Sequence, residues 1–289
     1  MTTGGGYLRL FYDVVICFFL FGFCGWVCEC VFCSFNEKKI INRGFVNGPI
    51  CPIYGFGGLV VVYLLAPLRD NILLLFLGGL IATTALEYMT SVVMELLFDT
   101  RWWDYSSQKW NIRGRVCLKF SLMFGALSVA AVKLLYPPFE ALLLWLPTGG
   151  KPWIAWGCIL MFAADCAVTT YSILSLNGKL AELKRASTEL RQRLEALQGE
   201  ALSIQEHLER FQADRSEKSA ELRKGLEELA ARWEAGKESV TQKFQHRRIM
   251  DAFPGMRSTK YQEQLADVKA AFVEFKNKKI KIGESEKKS

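Results

Sequence analysis

The sequence predicts an all-α protein: a polytopic membrane helix bundle of about five spans, followed by a C-terminal cytoplasmic coiled coil. Two contrasts along the chain carry this reading. Residues 1–177 hold all nine cysteines, with 12 Lys/Arg against 10 Asp/Glu, whereas residues 178–289 hold 24 against 19 and no cysteine. Long apolar runs fill the first part, and heptad-spaced leucines on a charged background fill the second. Three domains follow: a transmembrane helical domain at 1–176, a coiled-coil helix or helical hairpin at 177–250, and an amphipathic helix with a basic disordered tail at 251–289.

A membrane helix needs about 20 apolar residues, because nothing in hydrocarbon satisfies an open backbone amide. Residues 10–35 form the first span. They lack a basic leading region and a small-residue cleavage site, so the segment reads as a retained span and not a signal peptide. The second, 52–66, is short and glycine-rich, and Pro49 and Pro52 break its start, as irregular backbone does where it lines a cavity. Gly55, Gly57 and Gly58 suit close helix packing; they lack the lysine and the strand–turn–helix setting of a phosphate cradle. Residues 72–98, 116–135 and 153–176 complete the five. Residues 137–147, apolar but bounded by prolines, read as an interfacial or re-entrant piece.

Charge sets the orientation. Lys38, Lys39 and Arg43 lie in the loop after span one, and Arg101, Lys109, Arg113 and Arg115 in the loop after span three; the opposite loops hold only Arg9, Arg69 and Lys151. Basic loops stay cytoplasmic, so the N-terminus is expected outside and the C-terminus in the cytoplasm of a multi-pass cell-membrane protein. Trp102, Trp103, Tyr105 and Trp110 then fall at the inner headgroup level, where amphipathic aromatics anchor.

In the tail, Leu183, Leu190, Leu194, Leu197, Ile204, Leu208 and Phe211 form a coiled-coil seam, with Arg215 and Lys218 interrupting it. A new register starts at Leu222, Leu226, Leu229, Trp233 and Val240. The break fits a stutter in one long helix or a turn into an antiparallel hairpin with Asp214 or Ser216 as cap. The apolar stripe needs a cover, either its own returning half or a second copy through residues 183–244. One more amphipathic helix is expected over about 259–275, then a lysine-rich disordered end.

Ionisable groups inside spans are costly and mark function by default. Glu29 sits near the inner end of span one, and Asp165 near the middle of span five with few obvious partners except Thr169. Glu87 and Glu95 are about 80° apart in helical projection and make one polar stripe with Ser91. These carboxylates either pair with Arg43, Arg113 and Arg115 to pin the loops, or line a polar cavity open to the cytoplasm. Cys28, Cys30 and Cys33 are closely spaced, but both histidines lie in the tail, so no metal or other cofactor is expected. The chain has no Walker A sequence, no Gly-x-Ser-x-Gly elbow and no His-Glu-x-x-His helix. Its net charge of +7 is spread through a mixed-charge tail, which speaks for a solvated helix face and lipid headgroups and against nucleic acid.

Motifs cluster in the inner loops: Gly25-Trp26-x-x-Glu29; Asn42-Arg43-Gly44-Phe45-x-x-Gly48-Pro49-x-x-Pro52-Ile53-Tyr54-Gly55; Leu86-Glu87-Tyr88; Glu95; Trp102-Trp103-Asp104-Tyr105-Ser106; and Asn111-x-x-Gly114-Arg115. Over about residues 10–140 this pattern resembles the bacterial membrane family of ABC-transporter permease type, CmpB. Ala252-Phe253-Pro254-x-Met256-x-Ser258 looks like the end of that family's longer members. The resemblance implies a transport-associated membrane protein, with a separate ATPase subunit as partner beside membrane lipids. Together with the physical argument it makes Glu29, Asn42, Arg43, Glu87, Glu95, Asp104, Asn111 and Arg115 the candidate substrate-binding residues. The alternative expectation is an intramembrane enzyme acting on lipid-linked or phosphate-bearing substrates, with Glu29, Glu87 or Glu95 as base and Arg43 and Arg115 on a phosphate. A third is a scaffold that works through its coiled coil.

Overall fold

The computed structural model describes residues 3–37, 42–205 and 214–273, most of them helical. They form two compact units: Met1–Tyr171 with Arg248–Thr259, and Ser172–Arg247 with Lys260–Ser289.

The first unit is built on α1 (Thr3–Glu37), α2 (Pro52–Leu59), α3 (Ile72–Phe98), α4 (Leu118–Ala130), α5 (Tyr136–Trp145) and the opening part of α6 (Lys151–Gln205). Among the described residues four helical runs are long and apolar enough to cross a bilayer: Tyr7–Ser34, Ile72–Phe98, Leu118–Trp145 and Lys151–Arg193. Leucine, valine and aromatic side chains such as Leu96, Leu144 and Trp153 stand exposed along them, as a lipid-solvated surface requires.

The second expected span falls short of a crossing. It has eight α-helical residues and a five-residue π-helical turn, Val60–Leu64, which is about 20 Å of rise against a hydrocarbon core of about 30 Å. Irregular backbone over 42–51 precedes it, consistent with the Pro49 and Pro52 signal. This stretch lies beside the middle of α1, where Cys51 N–H donates to Gly22 O at 2.9 Å. Segment 137–147 does not stand apart either. Leu118–Trp145 is one helical run, joined by a π-helical turn at Ala131–Leu135 just before Pro137 and Pro138. The wider turn makes room for rings that would collide with the carbonyls of a regular α-turn.

Glycines set the helix separations. A Cβ on Gly25 would land on Tyr54, one on Gly55 on Phe18, and one on Gly58 on Phe21, so α1 and α2 approach closely. Gly79 against Ser128 does the same for α3 and α4. Asn71 Oδ1 caps α3 by accepting from Leu73 and Leu74 N–H, both at 3.1 Å. Asp99 ends α3 in the left-handed region at φ 50°.

Residues 248–259, set apart from the membrane domain by the sequence reading, pack with it. Thr100 and Arg101 (β1) pair antiparallel with Ser258 and Arg257 of the strand Arg257–Ser258. Trp102 is wedged among Phe45, Phe98 and Phe253, with ring centroids 4.9 Å apart in the Phe253 pair. Trp102 is therefore buried and not a headgroup anchor; Trp103 and Tyr105 are half-buried, and Trp110 alone of the four is exposed, at 81%. Core contacts and hydrogen bonds drew the others inward.

In the second unit the remainder of α6 runs antiparallel to α7 (Asp214–Gln242). His246 in the following helix Phe244–Ala252 meets the backbone of Ser172, Gly236 meets Leu183, and Gly225 meets Arg193. The residue numbers of each pair add to nearly the same total, as a helical hairpin demands. Over these pairs α6 and the segment from α7 onward lie antiparallel. Of the seam side chains, Leu183 and Val240 are buried and Trp233 is half-buried. The remaining seam side chains, Lys38, Lys39, His207 and the lysine-rich end from 276 lie outside the described residues. Residues 262–273 are helical and bury Leu265, Val268 and Phe272, an i, i+3, i+7 face that matches the expected amphipathic helix.

Candidate functional site

The C-terminal halves of α1 and α3, the opening turn of α2 and the loops beside them carry the motif residues, and they fall into separate groups. In the first, Tyr54 Oη, on the opening turn of α2, donates to Glu29 Oε1 at 2.7 Å. Arg43 Nε lies 3.9 Å from Glu29 Oε2, a loose pair, while Arg43 Nη1 donates to Cys33 Sγ at 3.0 Å. Its guanidinium also sits 6.0 Å from the centre of the Phe253 ring.

The polar stripe of α3 exists, but its two carboxylates meet different fates. Glu95 Oε2 accepts from Arg115 Nη2 at 2.5 Å and from Arg101 Nε at 3.0 Å. Arg115 Nη1 reaches Ser91 Oγ at 3.0 Å, which completes an acid–base pin between helix and loop. Glu87, 5% exposed, receives one hydrogen bond, from Tyr105 Oη to Oε1 at 3.2 Å. Its Oε2 is buried with no partner among the described residues.

Asp104 and Asn111 shape the loop after α3. Asn111–Ile112 and Val116–Cys117 form a two-stranded hairpin closed by Arg113 and Gly114, at φ 52° and 69°. Two successive positive φ values define the primed turn that fits twisted strands. A Cβ on Gly114 would strike Ser106 Oγ and Asp104 Oδ1. Asn111 Oδ1 accepts Gly114 N–H at 2.9 Å, and Asp104 Oδ1 accepts Ser106 N–H at the same length. Asp104 Oδ2 pairs with Arg257 Nη1 at 2.8 Å. The Ser106 hydroxyl and amide, with Arg257 and Arg101 nearby, hold the Asp104 carboxyl below its ordinary range. Burial, then the adjacent Glu87 carboxyl, push the Tyr105 phenol well up, and Glu29 adds to this.

Asn42 holds the irregular stretch before α2. Its Oδ1 accepts from Trp26 Nε1 at 2.7 Å and Gly44 N–H at 3.1 Å, and its Nδ2 donates to Asn47 O at 2.8 Å. Asp165 is not short of partners. It accepts Asn47 N–H at 3.0 Å, Asn47 Nδ2 at 2.7 Å and Gly48 N–H at 2.7 Å, while Thr169 Oγ1 also accepts from Asn47 Nδ2. The partners come from loop 42–51 and not from the next helical turn.

Sequence reasoning misses several participants. Asp13 lies within the first span and takes Lys151 Nζ at 2.7 Å, with Lys151 almost fully buried. Arg248 donates to Gly44 O, Phe45 O and Val46 O at 2.9–3.1 Å. Its signal is faint: an arginine just ahead of the Phe253-Pro254 motif. Tyr54 and Tyr105 stand inside quoted motifs, but only the fold reveals the carboxylates they serve.

Between α1, α2, α3 and α4 lies a cavity of about 130 Å³. Phe21, Tyr54, Phe124 and Gly57 are on its wall, and Glu87 is the one ionisable carboxyl there. Thr83 and Ser128 also line it, but their hydroxyls turn back on their own helices, to Gly79 O at 2.7 Å and Phe124 O at 2.8 Å. Among the described residues no cluster of His, Cys, Asp and Glu suits a metal ion.

A sequence profile of the family described as "Putative ABC-transporter type IV" (CmpB) matches residues 16–170, more than half of the chain. Comparison with curated proteins and with solved structures returned no match.

Proposed function

From the premise that this multi-pass membrane chain belongs to the CmpB-type ABC-transporter family, we propose that it is the solute- or ion-handling subunit of a transport system. The observation behind this is Glu87: a carboxyl with one buried oxygen that has no partner among the described residues, beside a cavity between the helices. A carboxyl left incompletely bonded in such surroundings costs free energy that a structural role does not return. Glu87 is the handling group, with Glu29 beside it through Tyr54, and Tyr105 on its other oxygen. Asn42, Glu95, Asp104, Asn111 and Arg115 act by keeping the inner loops in shape, because their polar atoms are engaged by the protein itself.

In this reading the N-terminus is outside and the C-terminus cytoplasmic. Four helices cross fully, and the irregular 42–51 stretch together with Pro52–Leu64 makes the remaining crossing, which preserves the odd parity that the basic loops demand. ATP hydrolysis falls to a separate subunit, since the chain has no phosphate-binding loop of its own. The helical hairpin offers that partner a surface. A second copy paired through 183–244 is the other partner this surface could take. The enzyme alternative requires Arg43 and Arg115 to converge on a phosphate, and each is already engaged, on Cys33 and on Glu95.

Crosslinked purification of the tagged full chain from its own membranes is expected to bring down a Walker A-containing chain with ATPase activity. Repeated recovery without any such chain removes the ABC assignment. Impermeant labelling of tags placed at 40 and at the C-terminus is expected to report the same face.

A further inference from the structure

We infer that the cavity beside Glu87 is a binding site for a small organic monocation with apolar flanks, of the ammonium class. This deepens the transport reading above and rests on it. The cavity, about 130 Å³, is close to the roughly 150 Å³ known to hold a benzene ring. Its wall combines two kinds of group that recognise such cations. Aromatic rings line it: Tyr54 and Phe124, edge to face with centroids 6.1 Å apart, and Phe21 of α1. A ring face attracts an ammonium group that keeps an apolar coat, and does so more strongly when water is excluded.

The second element is charge. Glu87 Oε2 lacks a partner among the described residues, and neither lysine nor arginine is among the cavity's lining residues. The other hydroxyls on the wall are already committed: Thr83 and Ser128 to backbone carbonyls, and Tyr54 to Glu29. Among the lining residues Glu87 therefore carries the one oxygen without a partner, an acceptor set beside apolar and aromatic surroundings. Glu29, one tyrosine away, is only loosely matched by Arg43 at 3.9 Å, so the neighbourhood carries a surplus of acid over base. Neutral apolar molecules would fill the volume and leave the carboxyl as costly as before. A phosphate or carboxylate would be repelled. A monocation with methyl or methylene flanks satisfies both the rings and the carboxyl.

The test uses the full chain in detergent and two probes of one shape: benzyltrimethylammonium, and neopentylbenzene, in which carbon replaces the charged nitrogen. Equilibrium dialysis is expected to show saturable binding of the cation, with the neutral probe competing at least about tenfold less well. Glu87→Gln keeps the shape and removes the charge, and should weaken cation binding by about tenfold or more. Gly57→Leu is the second variant: a Cβ there meets only Leu86 Cδ2, at 3.8 Å, so a side chain enters the cavity without a backbone collision and should abolish binding. No saturable binding by the wild type, equal competition by the neutral probe, or cation binding indifferent to both variants overturns the inference. Those outcomes leave the ATPase-capture result untouched, so a transport subunit that handles some other solute is told apart from a failed transport reading.

Discussion

Asp165 gives the sharpest test of how the irregular stretch before α2 is held. Asp165→Ala removes the acceptor of Asn47 N–H, Gly48 N–H and Asn47 Nδ2, at 2.7–3.0 Å. The Asn47 amide keeps Thr169 Oγ1 at 3.2 Å, so its loss is partly made good. The two backbone amides are fixed by the chain and have no such recourse. Each buried donor left unsatisfied costs about 1–3 kcal/mol, so the loop should lose about 3–4 kcal/mol. If the loss is local, the opening equilibrium of residues 45–50 rises by about a hundredfold or more. Hydrogen exchange resolved at Asn47 and Gly48, on protein in nanodiscs, reads this directly. Asp165→Asn should fall between, because one oxygen survives while its amide faces a donor. If both amides exchange in Asp165→Ala within about threefold of wild type while helix amides are unchanged, the loop is held by something other than that carboxylate.

Three further outcomes are expected. Arg248→Lys replaces a planar fork that serves three carbonyls with a single ammonium, and should loosen 248–259 by about 1–3 kcal/mol, seen as faster exchange over 253–259. Gly58→Ala drives a methyl into Phe21 and should cost about 1–3 kcal/mol in thermal unfolding, whereas Gly57→Ala, with open space beside it, should be neutral or gain a few tenths from helix propensity. Burial, reinforced by Lys243 and Lys179, holds His246 below its ordinary 6.5. The unfolded chain therefore takes up the proton first: stability of the hairpin base is level above pH 6.5 and declines as pH falls below it, a slope that His246→Gln should flatten in circular-dichroism melts.

The helical, membrane-spanning character of the chain was legible because it rests on composition over long windows. The extent of the second span was not, since hydropathy cannot say how much of a glycine- and proline-rich run is helical. The same limit hid the continuity of Leu118–Trp145, where two prolines looked like a break and a π-turn absorbed them. For the tail, the choice between rod and hairpin was not legible. Either arrangement covers the leucines, and the deciding contacts join residues more than 30 apart. In the candidate site, sequence found the acids and bases but not their pairing. Arg113 stood as a partner for Glu29 or Glu95, yet it serves the hairpin turn at φ 52° while Arg101 takes Glu95. Asp165 lacked visible partners because two of its donors are main-chain amides, which no side-chain pattern announces.

A motif rich in charges does not separate residues that build the bundle from those that act in it, but the sign of a mutational effect on stability does. Glu95 answers two arginines, and Glu95→Leu leaves Arg115 charged and without its carboxylate in a half-buried site; a loss of about 3–5 kcal/mol is expected for a broken buried pair. Glu87 has no cationic partner among the described residues, and its Oε2 contributes nothing that folding needs. Glu87→Leu removes an unmatched acceptor and adds apolar surface, so it should be neutral or stabilising by about 1 kcal/mol, less the modest worth of the Tyr105 bond. Parallel melts of the two variants in one detergent compare them under a common reference. Equal destabilisation would mean that Glu87 is as structural as Glu95 and that its open oxygen is an accident of packing. Opposite signs would mean that the fold tolerates an unfavourable carboxyl at this one place, which selection maintains only where something outside the chain comes to meet it.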